Sequence, residues 1–346
     1  MPKFRYTLAS FILGLLVSMG ALAADPVAVN PSHPERYVVV KGDTLWDISG
    51  HFLRDPWRWP DVWHVNSQIA NPHLIYPGDV IVLTYVNGQP RLTLERGSLV
   101  KLSPRVRSTL LDGAIPAIPI DAIHQFLTRP FVMDREAMES APYVIAFDDE
   151  HIIGSNGVKA YVRSIDSEDN TQFDIIRPGG PYKDADSGEI LGYEALFVGS
   201  GALIRLGDPA TVTLNNIEIE TTKGDRVMPI AEEEPLETFY PKAPGQQIFG
   251  SIIDVLGGVT QIGQYHVVVL DKGAGDGLEP GNVLAIDHRG ETVKDNVSKD
   301  PKDTVTLPDE SAGLLMVFRT FPRVSFGLVM HATRAIHVLD RVHNPE

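Results

Sequence analysis

Apolar and polar positions change rhythm twice along the chain. Tyr-Val-Val-Val-Lys at 37–41 is a short β-branched run, and Gly42-Asp43 breaks it as a turn. Leu45, Ile48 and Phe52 then recur at i, i+3 and i+7, one face of a helix. Thr44, with Asp47 three residues later, is a capping-box start for that helix, and Pro56 ends it. A second short helix fits 60–66, with Pro60 in its first turn. Tyr76-Pro77-Gly78-Asp79 is a turn, and 80–83 is a second strand. The unit reads strand, helix, helix, strand. It holds all four tryptophans, Trp46, Trp57, Trp59 and Trp63. So small a unit has little core, and large rings help it fold, so the Trp-rich stretch 52–60 reads as core.

From 141 onward the pattern is mostly β. Strand candidates are 143–147, 158–164, 173–176, 203–206 and 211–219. A proline-containing boundary follows at 232–244, then candidates at 248–256, 265–270, 283–287, 314–320 and 324–332. Residues 290–310 are polar and read as a long exposed loop. Between the two regions, 87–140 holds a basic stretch at 91–107, an extended Ile115-Pro-Ala-Ile-Pro-Ile120 and a short helix at 121–127. It reads as a linker with some local order. A turn of Gly and Asp or Asn ahead of β-branched residues recurs at Gly78-Asp79, Gly207-Asp208, Gly224-Asp225 and Gly281-Asn282. Its irregular spacing reads as shared turn chemistry and not as a repeat.

The pattern thus predicts an α+β chain, a βααβ module followed by a linker and mostly-β C-terminal domains. The expected divisions are 1–23, 24–34, 35–86, 87–140, 141–240 and 241–346. The first is a secretory signal peptide by pattern. Lys3 and Arg5 precede an apolar run at 7–19, and Ala21-Leu22-Ala23 is an A-x-A cleavage site. As a membrane anchor that run is short, since a span needs about 20 residues. Residues 24–34, with three prolines, read as a leader. Export without disulfides follows, because the chain has no cysteine.

Composition changes the picture in two ways. The net charge is −15 and becomes −17 once Lys3 and Arg5 leave with the signal peptide. That balance argues against a nucleic-acid partner, which calls for a basic patch. The absence of cysteine removes thiolate nucleophiles, Cys-ligated zinc and a lipidated N-terminal Cys together.

The two halves of the first unit, Gly42-Asp-Thr-Leu-Trp46 and Asn71-Pro-His-Leu-Ile-Tyr-Pro-Gly-Asp79, resemble the LysM family of peptidoglycan-binding modules. The resemblance implies a βααβ fold and a shallow groove for N-acetylglucosamine units between two loops. Gly42, Asp43, Thr44 and Leu45 would form one wall, and Asn71, Pro72, His73, Leu74, Ile75 and Tyr76 the other. At each of these positions a plain role as turn, helix cap or core stays open. The layout of the whole chain resembles the TsaP family of type IV pilus secretin-associated proteins. The stretch 267–284, Val-Val-Val-Leu-Asp-Lys-Gly-Ala-Gly-Asp-Gly-Leu-Glu-Pro-Gly-Asn-Val-Leu, is similar to the C-terminal domain of the flagellar T-ring protein FlgT. This implies a periplasmic, non-catalytic adaptor that ties the outer-membrane secretin ring to peptidoglycan, with no cofactor and no membrane span in the mature chain. A LysM-targeted cell-wall hydrolase and a general envelope scaffold stay open beside it.

Candidate catalytic groups are few. The eleven histidines include no H-x-H and no H-E-x-x-H. Asp148-Asp-Glu-His151 reads as a charged turn after a strand. Asp271-Lys-Gly-Ala-Gly-Asp-Gly277 lacks calcium-loop spacing and reads as a tight hairpin turn.

Overall fold

Three β assemblies follow one another along the chain. The computed structural model describes residues 26–63, 75–95, 115–127, 132–230, 239–257, 261–295, 297–298, 300 and 302–345. The signal-peptide reading of 1–23 and the groove residues Asn71, Pro72, His73 and Leu74 lie outside the described residues.

The first assembly contains β1 (Arg36–Val38), α1 (Leu45–Phe52), α2 (Trp59–Trp63), β2 (Val80–Val86) and β3 (Gln89–Glu95). The strands form one antiparallel sheet in the order β1-β2-β3. Strand, helix, helix, strand is the predicted order, and β3 adds an edge to it. Asn87 and Gly88 both take positive φ, 52° and 80°, which is the two-residue hairpin that returns β3 against β2. The start of the segment read as a linker is therefore part of this sheet. Leu45, Ile48, Phe52, Trp59, Val62, Ile75 and Ile81 fill the core beneath it. Between the helices, Pro56–Arg58 make one 3₁₀ turn. Leader residues close the far side, where Val29 bridges to Leu53.

After α3 (Ile120–Leu127), β4 (Val132–Met133) and α4 (Arg135–Ser140) comes the second assembly. It consists of β5 (Tyr143–Phe147), β6 (Lys159–Arg163), β7 (Gln172–Lys183), β8 (Ile190–Arg205), β9 (Ala210–Asn215) and β10 (Arg226–Pro229). The sheet runs β4-β8-β7-β10-β5-β6-β9, and β9 pairs back onto β8. Six strands therefore ring a core of Val144, Val162, Ile175, Val212 and Val227, and β4 attaches outside. The long β7–β8 hairpin carries Tyr182 beyond this ring.

The third assembly holds β11 (Phe249–Val255), β12 (Val267–Leu270), β13 (Val283–His288), β14 (Thr292–Lys294), β15 (Thr304–Thr306), β16 (Glu310–Thr320), β17 (Ser325–Ala332) and β18 (Arg341–His343). It is a closed barrel, β11-β12-β17-β16-β13-β18. Within the polar stretch 290–310, the exposed strands β14 and β15 pair as a two-stranded ribbon. One expectation is corrected here. Residues 271–277 do not close a hairpin, because they join β12 to β13 across the barrel, and these strands are not neighbours. A 3₁₀ turn at Ala274–Asp276 ends on Gly277 at φ 84°, so the glycines serve a crossover.

Strand alternation explains how the pieces meet. Along β12, β16 and β17, Val268, Leu270, Leu315, Val317 and Val329 point into the barrel. Val267, Val269, Met316, Phe318, Phe326 and Leu328 point outward, yet they are also buried. Trp46 of α1, Ile118, Ile123 of α3, Tyr182 and Phe239 cover this outer face. That is why these strands read as nearly unbroken apolar runs. Arg319 adds a polar tie by donating from Nη1 to the Phe126 carbonyl at 2.8 Å.

Candidate glycan-binding site

The loop ahead of α1 is fixed by its own hydrogen bonds. Gly42 takes φ 99°, and the Asp43 carboxylate accepts from the Val40 amide at 2.9 Å and from the Tyr37 hydroxyl at 3.0 Å. Burial and the Asp43 carboxylate push the Tyr37 phenol up to about 12. Thr44 Oγ1 accepts from the Asp47 amide at 3.1 Å, and Asp47 Oδ2 accepts from the Thr44 amide at 3.2 Å, the reciprocal capping box its spacing predicts. The second loop closes the same way. Asp79 Oδ2 accepts from the Tyr76 amide at 3.0 Å, and the Gly78 amide donates to the Val39 carbonyl at 2.8 Å. This bond stitches one loop to the other.

Of the second predicted wall, Ile75 and Tyr76 lie among the described residues, and Ile75 packs in the same core as Leu45 of the first. Gly42, Asp43 and Tyr76 are accessible at the rim, while Thr44, Leu45 and Ile75 are buried. What buries them is the chain itself. Ile115-Pro-Ala-Ile118, expected within a linker, runs between the walls. The Leu45 amide donates to the Pro116 carbonyl at 3.0 Å, and the Trp46 amide to the Ala117 carbonyl at 3.3 Å. On the other side the Ile115 amide donates to the Ile75 carbonyl at 2.9 Å. The amides of Leu45 and Trp46 belong to the first turn of α1 and have no partner within the helix, so a carbonyl must come from elsewhere. Two N–H donors on one side and a carbonyl on the other, beside Leu45 and Ile75, are thus matched by the peptide units of this segment.

A scan against family models matches the LysM domain over residues 37–84. This segment of the chain is a LysM domain. A stretch of 57 residues is also 42% identical to YqbP, an uncharacterized protein of Bacillus subtilis (strain 168). It covers 14% of this chain and 26% of that protein, so the chain spans about a quarter of the length of the relative it matches. LysM domains are peptidoglycan-binding modules, which puts glycan strands forward as the ligand and the cell wall, outside the cytoplasm, as the place of action. No helix among the described residues is long and apolar enough to cross a membrane.

Elsewhere, titratable clusters serve local structure. Asp148-Asp-Glu-His151 is a turn, with Asp149 and Glu150 at φ 48° and 60° and His151 Nδ1 bonded to the Asp148 carbonyl. His288, His337 and Asp340 bring one ligand-type atom each within 4.8 Å of one another, a grouping sequence spacing does not reveal. The buried Asp340 carboxylate is engaged by its turn. It accepts from the His337 amide at 2.8 Å, the Arg289 amide at 3.1 Å and His288 Nδ1 at 2.9 Å.

Proposed function

We propose that the protein is a non-catalytic adaptor: its LysM domain holds peptidoglycan glycan strands and its two β barrels dock on a second envelope component, the outer-membrane secretin ring of a type IV pilus. The observation that carries the glycan half is the amide-reading groove of a LysM domain, since an N-acetyl group is an amide with a methyl attached. Its N–H and C=O suit the Ile75 carbonyl and the Leu45 and Trp46 amides, and its methyl suits Leu45 and Ile75. Support for the secretin half is the layout: a secretory leader by pattern, one LysM domain, and β barrels joined to it through Trp46 and α3. A single LysM domain holds glycan weakly. Copies displayed on a ring gain avidity of roughly 10²–10⁴ over one site, which suits an anchor.

Binding is favoured over catalysis because the chain has no cysteine and the Asp340 cluster is spent on a turn. The test is chemical crosslinking in cells followed by purification of the full-length protein. Recovery of secretin subunits, together with release of the complex from the wall by muramidase, is expected. Wall-dependent recovery of other envelope proteins without secretin overturns the secretin assignment. Clearing of peptidoglycan by the purified protein in a zymogram overturns the non-catalytic one.

A further inference from the structure

We propose that Ile115–Ile118 is a built-in occupant of the glycan groove, displaced when a glycan strand binds. The inference rests on the glycan reading of that groove.

The segment supplies what the ligand would supply. Its Pro116 carbonyl takes the Leu45 amide, its Ala117 carbonyl takes the Trp46 amide, and its Ile115 amide reaches the Ile75 carbonyl. A peptide unit and an N-acetyl group carry the same donor and acceptor, so both compete for one set of backbone groups. The competition is for the Leu45, Trp46 and Ile75 backbone groups. Leu45 and Ile75 are 1% and 0% exposed with the segment in place, and Ile115, Ala117 and Ile118 are 4%, 5% and 1% exposed. Among the described residues the rim at Gly42, Asp43 and Tyr76 stays accessible, while the backbone groups and side chains of Leu45 and Ile75 are taken by the segment.

The segment is held by sparse hydrogen bonding for a buried stretch. Pro116 has no N–H to offer, so it contributes a carbonyl only. Between Ile115 and Ile118 the backbone hydrogen bonds to the described wall residues are three single ones and not a ladder, and the rest of the hold is the packing of Ile115 and Ala117 in the LysM core. The segment runs on into α3, where Ile118 and Ile123 pack with Trp46 on the outer face of the third-assembly barrel. Lifting Ile115–Ala117 out of the groove therefore loosens the strap that ties the LysM domain to the barrel. Glycan binding and barrel contact are coupled through one short stretch of chain, and the apparent affinity for glycan is the intrinsic affinity multiplied by the fraction of molecules in which the groove is open.

Two measurements on the full chain test this, with tetra-N-acetylchitotetraose as probe. In the unaltered protein, amide hydrogen exchange across 115–118 should quicken when the probe saturates, while the Leu45 and Trp46 amides stay protected. Pro116→Gly and Ala117→Glu, each checked for native near-UV circular dichroism, should bind the probe about tenfold more tightly. If the unaltered protein binds the probe, yet 115–118 keeps or gains protection and the variants bind no better, the occupant role is overturned and the glycan reading stands. If neither the unaltered protein nor the variants bind the probe at millimolar concentration, the glycan reading falls and this inference falls with it.

Discussion

At the residue scale, five turns share one solution. In each, a positive-φ residue precedes an Asp or Asn whose side-chain oxygen accepts the amide three residues back. The pairs are Gly42-Asp43, Gly78-Asp79, Gly224-Asp225, Gly281-Asn282 and Leu339-Asp340. In four of them the positive-φ residue also donates its amide to a neighbouring strand: Gly78 to Val39, Gly224 to Val144, Gly281 to Val317 and Leu339 to Ile252. Three were legible as Gly-Asp or Gly-Asn ahead of β-branched residues. Gly207-Asp208 looked alike but is different, because Asp208 spends its carboxylate on Arg163 at 2.9 and 2.8 Å. Leu339-Asp340 escaped notice because its positive φ falls on leucine. Leucine at φ 76° is strained, and its side chain is partly exposed, so Leu339→Asn should stabilise the protein by about 0.5–1 kcal/mol in urea unfolding. Asp225 is the most committed of the five carboxylates and amides, accepting from Nε and Nη2 of Arg177 at 2.9 Å each besides its turn. Asp225→Ala should cost about 3 kcal/mol, and Asp79→Ala, nearer solvent, about 1 kcal/mol. Equal losses at the two sites would contradict that ranking.

Elements were legible where local pattern and tertiary setting agree. The capping box of α1 and the turn before β2 formed as spacing predicts, because their hydrogen bonds are local. The strand β3 was missed although Asn87-Gly88 is a strong hairpin signal, since the stretch after it was judged by its basic composition. In β7, Pro178-Gly-Gly-Pro181 hides the pattern; the strand crosses it with a shift of register and continues to Lys183. The course of Ile115–Ile118 beside Leu45 and Ile75 was not legible at all. Nothing in Ile-Pro-Ala-Ile says that its carbonyls meet the first turn of a helix some 70 residues earlier. Replacing Thr44 and Ile75 by charged residues, an obvious probe of an open groove, would here break a helix cap and a core contact. Trp59 is 1% exposed and sits in the LysM core. Trp59→Ala should lower stability by about 3–5 kcal/mol, and affinity for tetra-N-acetylchitotetraose per folded molecule should not change. A selective loss of sugar binding with stability intact would make Trp59 a stacking platform instead.

At the scale of the whole molecule, acidity and contact between assemblies interact. Residues 37–86 carry three basic and five acidic side chains, so most of the negative charge lies outside the LysM domain. Some of it is placed at cost. Burial, with Asp254 of β11 nearby, raises the Glu194 carboxyl of β8 above the usual range. A carboxyl raised in the folded state favours folding when protonated. That contribution is present below the unfolded value and is lost as pH rises through the folded one. Glu194→Gln should therefore raise Tm at pH 7, and the gain should shrink as pH falls into the ordinary carboxylate range; a pH-independent gain would assign it to packing. In the function proposed, the same molecule holds the wall through the groove beside Leu45 and Ile75. The most direct measurement is co-sedimentation of the full-length protein with purified peptidoglycan sacculi, with and without tetra-N-acetylchitotetraose. The account predicts that the protein pellets with the sacculi and that millimolar oligosaccharide returns it to the supernatant. Protein that stays in the supernatant, or that stays on the wall whatever the oligosaccharide concentration, would contradict it.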